Sequence, residues 1–153
     1  MEFQPKVFLD TNVLISSFLK KDINYFKARA VLDVIKEFNG LIYLSPLVLL
    51  EICVTLHNSG ENEGKVSFFC DNVINSPIVR IINLDSSQIV PVVNGLFRNG
   101  IDLKSNDLFI SSIPITFQTY FVTFDQKIYS NVSPFYKFIS NDAEGLRKLL
   151  MEE

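Results

Sequence analysis

The sequence predicts an α/β protein with a mostly parallel central sheet and helices on both faces. Three observations lead there. Short apolar runs alternate along the chain with stretches in which apolar residues recur every three or four positions. The first run, Val7-Phe8-Leu9, has no polar alternation, as expected of a strand covered on both sides. That run and a later one, Phe121-Val122-Thr123-Phe124, each stop at an aspartate, Asp10 and Asp125. Strand ends of this kind are where open parallel sheets gather their ligands.

The totals narrow the class. With 153 residues, 48% of them apolar and 12% aromatic, the chain has enough material for one packed core. A single domain over residues 1–153 is expected. No apolar run approaches the roughly 18 residues of a membrane span, and the first residues lack the layout of a signal peptide. A cytoplasmic protein is therefore expected. Cys53 and Cys70 sit in apolar contexts and read as reduced thiols rather than a disulfide. His57 is the only histidine, so zinc chemistry and histidine-dependent triads find little support. The net charge of -3 argues against a broad electrostatic grip on nucleic acid. It leaves room for a local basic patch, and it suits a site that concentrates carboxylates.

In chain order, the strand Val7-Phe8-Leu9 turns into a short helix over 13–19, with Thr11 or Asn12 as its cap. A second helix spans 23–38, where Phe26, Ala30 and Val34, and Val31, Ile35 and Phe38, share helical spacing; Gly40 stops it. Residues 41–44 form a second strand. Ser45-Pro46 then starts a helix as N-cap and first helical residue. This helix, 46–56, is apolar nearly all round, and Glu51 is the single charge inside it. A polar loop leads to a helix over 66–74 and a third strand over 78–82. Asp85 and Gln88 have capping-box spacing and open a helix toward Phe97 that Pro91 kinks. Ser105 caps a helix over 108–117, with Asp107 in its first turn and Pro114 bending or ending it. A fourth strand covers 119–125. A turn at Gln126-Lys127 leads to a last strand at 136–139. Asn141, with Glu144 completing a capping box, starts the final helix, whose apolar face is Leu146, Leu149 and Leu150.

Four acids stand where this architecture brings them to one edge. Asp10 and Asp125 end strands, Asp107 begins a helix, and Glu51 leans in from an apolar one. Each has a plainer role beside the functional one. Asp10 suits a cap, Asp107 the positive end of a helix dipole, and Asp125 a turn. Glu51 is the hardest to explain that way, because a carboxylate among apolar neighbours is costly unless paired, protonated or metal-bound. Asp33 has a helical partner and Asp85 a capping role, so both are left out; Asp102 is a peripheral fifth. Carboxylates crowded together raise each other's pKa, and a hard divalent cation relieves them. Oxygen ligands without His or Cys match Mg²⁺ or Mn²⁺. The corresponding chemistry is hydrolysis at phosphorus, with one metal or two.

These residues resemble the PIN-domain family of nucleases. The resemblance is carried by Val7-Phe8-Leu9-Asp10-Thr11-Asn12-Val13-Leu14, by Ser45-Pro46-Leu47-Val48-Leu49-Leu50-Glu51, by Asn106-Asp107-Leu108-Phe109-Ile110 and by Phe121-Val122-Thr123-Phe124-Asp125, in that order. It implies a three-layer α/β/α Rossmann-like fold and an Mg²⁺- or Mn²⁺-dependent ribonuclease. Asp10, Glu51, Asp107 and Asp125 take the catalytic, metal-binding positions, and Thr11, Asn12 and Thr123 the supporting polar ones. Many single-domain members are toxins of toxin–antitoxin pairs, which implies an RNA substrate, an antitoxin protein as partner and a possible homodimer. The chain departs from the family in Phe109 and Ile113-Pro114, where small residues are common. It also has Phe124 where a basic residue often stands, and it is somewhat longer than typical toxin members. Two other readings compete. One is a PIN-fold module that binds RNA or protein with little catalysis. The other is an α/β phosphohydrolase of the haloacid-dehalogenase kind, which needs a second Asp where this chain has Asn12.

Overall fold

The computed structural model describes residues 3–152. β1 (Lys6–Leu9) leads into α1 (Thr11–Phe18) and α2 (Tyr25–Glu37), and β2 (Leu41–Leu44) into α3 (Pro46–Asn58) and α4 (Glu63–Ile74). β3 (Val79–Ile81) is followed by α5 (Ser86–Arg98) and α6 (Ser105–Phe117), β4 (Tyr120–Val122) by α7 (Gln126–Val132), and β5 (Ile139–Ser140) by α8 (Ala143–Met151). The five strands form one sheet in the order β3-β2-β1-β4-β5, and every pairing is parallel. β1 is central, with Val7 opposite both Ile42 and Tyr120, and Phe8 opposite both Tyr43 and Phe121. Its three apolar residues are wholly buried. That is the physical reason the run lacks polar alternation. Phe8 and Phe121 meet edge to face across the β1–β4 ladder.

Helical crossovers join the parallel strands. The chain steps from β1 to β2 to β3 in one direction, then returns past β1 to β4 and β5 in the other. α1 packs on α2 and α3, and α3 on α4, while α5 packs on α6 and α6 on α7. α8 comes back to α2, where Arg147 pairs with Glu37. Among the described residues no helix is long and apolar enough to cross a membrane.

Several local expectations are corrected. Asp10, not Thr11 or Asn12, caps α1: its carboxylate accepts from the Thr11 amide, and the helix begins at Thr11, two residues earlier than expected. The core face of α2 is Ala28, Val31, Val34 and Ile35, while Phe26 is 82% exposed. Asn39, at φ 54°, makes the left-handed turn after α2. Gly40 is required by space, since a Cβ there would meet Ile35 Cγ2 at 3.0 Å and the Pro5 carbonyl oxygen at 3.3 Å. Ser45 caps α3 as expected, accepting from the Val48 amide. α5 and α6 both run on through their prolines, each losing one backbone donor. In α6 the burial of Ile110 and Ile113 around Pro114 opposes that loss. Lys104 rather than Ser105 is the N-cap of α6, without a side-chain bond. The turn expected after Asp125 is a helix, α7, too short to announce itself by periodicity; only Ile128 and Val132 are buried on it. The last strand is displaced from 136–139 to Ile139–Ser140, and Asp142 rather than Asn141 caps α8, accepting from the Gly145 amide.

Candidate active site

The return from β3 to β4 puts the carboxyl ends of β1 and β4 side by side. This is the point where the strand order reverses, and open α/β sheets form a ligand crevice there. Asp10 follows β1 directly. Thr123 follows β4, and Asp125 lies two residues further on. The Asp10 amide donates to the Val122 carbonyl (3.0 Å), so the ladder runs up to the aspartate itself.

Asp10 is 4% exposed, and both its oxygens are used. Oδ1 accepts from the Thr11 amide (2.7 Å) and Oδ2 from the Thr123 hydroxyl (2.7 Å). Burial pushes its carboxyl up to about 6; the two hydrogen bonds oppose that shift, and the nearby charges of Glu51 and Asp125 add to it. Thr11 ties Asp10 to Glu51. Its amide holds the first, and its hydroxyl donates to Glu51 Oε2 at 2.6 Å. Glu51 is thereby turned toward the strand end from the second turn of α3. Asn106, at the start of α6, brings its side-chain amide to 3.5 Å from Glu51 Oε1. Thr11, Leu47, Leu50, Glu51, Val54 and Asn106 line one open pocket. A larger cavity, about 950 Å³ between the α1–α2 loop and the α3–α4 turn, touches none of the predicted site residues.

On the β4 side, Thr123 is fully buried and bridges in the other direction. Its hydroxyl donates to Asp10 and accepts from the Asp125 amide (3.1 Å). Asp125 Oδ1 caps α7, accepting from the amides of Lys127 (2.8 Å) and Ile128 (3.1 Å). Its plainer structural role is thus real and coexists with its place beside Asp10. Asn12 supports backbone, its Oδ1 accepting from the Phe124 amide (3.3 Å). Asp107 is in the first turn of α6. Its carboxyl is raised by burial and by Asp125, against the lowering effect of Lys104 and Lys127. The four acids therefore form an arc: Glu51 and Asp125 each act on Asp10, and Asp107 neighbours Asp125. Asp102 is exposed and is not among the groups acting on Asp10 or Asp107. Asp85 is occupied at its helix start, where the Gln88 side chain accepts from its amide. Among the described residues, no group of three or more His, Cys, Asp or Glu side chains is placed to hold a metal ion. The donor set still fits a hard cation. It is all oxygen, its central carboxylate is buried beside like charge, and Mg²⁺ keeps most of its waters and needs only one or two carboxylates.

Two contacts escape sequence reasoning. Asn106 reaches Glu51 from another helix. Lys27, on α2, holds its ammonium 4.6 Å from the centre of the Phe124 ring. Asn106 stands in the third family-like motif, but its contact with Glu51, like that of Lys27 with Phe124, joins distant segments and has no local signal.

With this geometry the protein belongs to the PIN-domain family, whose model matches residues 7–132. Among solved structures, the chain is similar to a Mycobacterium tuberculosis protein described as VapC20, a sarcin-ricin loop cleaving toxin. The identity is 14%, the TM-score 0.66, and the match covers 82% of this chain and 95% of that one. It is also similar to VapBC2 from Rickettsia felis, crystallised with a DNA fragment from its promoter, at 22% identity and TM-score 0.61 over 83% of this chain and 93% of the other. FitAcB from Neisseria gonorrhoeae is similar at 19% identity and TM-score 0.62, over 82% and 91%. Comparison with curated protein sequences gives no match.

Proposed function

We propose that the protein is an Mg²⁺- or Mn²⁺-dependent endoribonuclease whose site comprises Asp10, Glu51, Asp107 and Asp125, supported by Thr11, Asn12 and Thr123. The observation that carries this reading is the arc of acids at the strand-order reversal, centred on a buried aspartate with no cationic partner among the groups acting on it. Family membership and the likeness to a toxin structure support it.

Asp10 and Glu51, joined through Thr11, and Asp125 with Asp107 would hold the cation. The cation supplies polarisation of a phosphoryl oxygen and an activated water. The chain's own residues do the rest. Thr11 and Thr123 fix both oxygens of Asp10, so the carboxylate cannot turn away when it ionises. Glu51 Oε2 is occupied by Thr11, while Oε1 has only the long contact with the Asn106 amide (3.5 Å) and keeps a lone pair that would accept a proton from an attacking water. Lys104 and Lys127, close enough to act on Asp107, offset the repulsion between the site and an incoming phosphodiester. The reading includes a small protein partner that holds the enzyme inactive, and pairing of two copies. Two observations favour a second reading, a module that binds RNA with little catalysis: the net charge is -3, and among the described residues no group of three or more His, Cys, Asp or Glu is placed to hold a metal ion.

The test is cleavage of a labelled RNA by purified protein with Mn²⁺ or Mg²⁺ and with chelator. Cleavage that requires metal and is lost in Asp10→Asn and Glu51→Gln, both still folded, is expected. Equal rates in wild type and Glu51→Gln would remove Glu51 from the mechanism. A folded protein that binds metal and RNA but cuts nothing would favour the binding module.

A further inference from the structure

An acid-lined site in a chain of net charge -3 must still hold a polyanion. Besides Lys104 and Lys127, which act on Asp107, the structure places a further cation where it can do so. Lys27 is the third residue of α2, close to the positive end of that helix dipole, where a cation is disfavoured. Its position therefore does nothing for the helix. Among the described residues it forms no ion pair; those present are Lys65–Glu61, Arg147–Glu37 and Lys148–Glu144. Its ammonium rests instead over the half-buried Phe124 ring.

Phe124 is held firmly. Its amide donates to Asn12 Oδ1, and its chain neighbours are Thr123, bonded to Asp10, and Asp125, bonded to Thr123 and to α7. The ring is thus a fixed shelf one residue from the acids, and the ammonium on it keeps all three of its donors for a ligand. Through the ring it rests on, the lysine stands beside the backbone that carries Thr123 and Asp125.

We infer that Lys27, seated on Phe124, is a substrate-positioning residue that binds a backbone phosphate of the RNA flanking the one presented to the acids. It takes its substrate class from the nuclease reading above. The contact is to phosphate, so it adds affinity and register without reading sequence.

The experiment measures binding of a short fluorescein-labelled single-stranded RNA, in chelator, across a series of salt concentrations. Each phosphate contact on a single strand contributes about 0.7 to the slope of log K against log salt. Lys27→Met should weaken binding several-fold at low salt and lower the slope by about 0.7. Lys27→Arg should restore both, and Phe124→Leu, which removes the shelf but not the charge, should lose part of the affinity. Lys36→Met removes the same charge at the other end of the same helix and should change neither. An unchanged slope in Lys27→Met, an equal drop in Lys36→Met, or no RNA binding by the wild type would each overturn the inference. Cleavage of the same RNA with Mn²⁺ separates the two readings. Metal-dependent cleavage with an unchanged slope sinks the Lys27 contact alone. A lowered slope in a protein that cuts nothing sinks catalysis and keeps the contact.

Discussion

Asp10→Asn should make the metal-free protein more stable, although it removes two ionic hydrogen bonds. Asp10 is almost wholly buried, and burial with two neighbouring carboxylates raises its carboxyl from 3.8 to about 6. Such a raised value costs stability once the group must ionise, by about 3 kcal/mol well above both pKa values. Asparagine carries no charge to desolvate. It keeps one acceptor for the Thr11 amide and meets the Thr123 hydroxyl less well, a loss of about 1 kcal/mol. The net expected gain is about 2 kcal/mol near pH 8, or roughly 4–8 °C in melting temperature for a domain of this size. The sign with pH follows from the direction of the shift. The wild type carries no penalty below the unfolded value, acquires it as pH rises through the interval from 3.8 to about 6, and bears all of it above. The advantage of the variant should therefore shrink steadily below about pH 6, vanish at about pH 4.5 and reverse below that, where only the weakened hydrogen bonding remains. Thermal or urea unfolding in chelator at several pH values measures it. Mn²⁺ should then raise the wild-type melting temperature and leave the variant nearly unmoved, because a ligand stabilises only the state that binds it. A variant equal to or less stable than the wild type near pH 8, or a difference that does not change with pH, would refute the claim that Asp10 is held as an uncompensated buried charge.

Other expectations are simpler. Ser45→Ala removes the fully buried hydroxyl that accepts from the Val48 amide at the start of α3, and should cost about 1–2 kcal/mol in urea unfolding. Phe121→Ala empties the sheet centre beside Phe8 and should cost about 3–5 kcal/mol, which a loss below about 1 kcal/mol would contradict. Cys70 and Cys53 are free thiols with sulfurs 3.3 Å apart, and burial and Cys53 push the Cys70 thiol up to about 11. Iodoacetamide at mildly alkaline pH should therefore label Cys70 far more slowly than a small-molecule thiol; equal rates would show an accessible, unperturbed thiol.

The sequence by itself determined the class of the sheet. Val7, Phe8 and Leu9 had to be covered on both faces, and strands separated by helices had to run parallel. It also marked the acids, because Asp10 closes an apolar run and Glu51 breaks an apolar helix. What it left open was whatever depends on strand order. Asp10 and Thr123 are 113 residues apart and touch because the chain crosses back from β3 to β4. Nothing local in either segment encodes that return. Short elements were lost for a related reason. α7 offers only Ile128 and Val132 to a period of 3.6, too few to tell from a turn, and the shift from Asn141 to Asp142 as cap is a choice between adjacent residues that both favour capping. The placement of Lys27 over Phe124 and of Asn106 against Glu51 was decided only by packing of distant helices. Residue type set what each side chain could do, and the tertiary structure decided which of them meet.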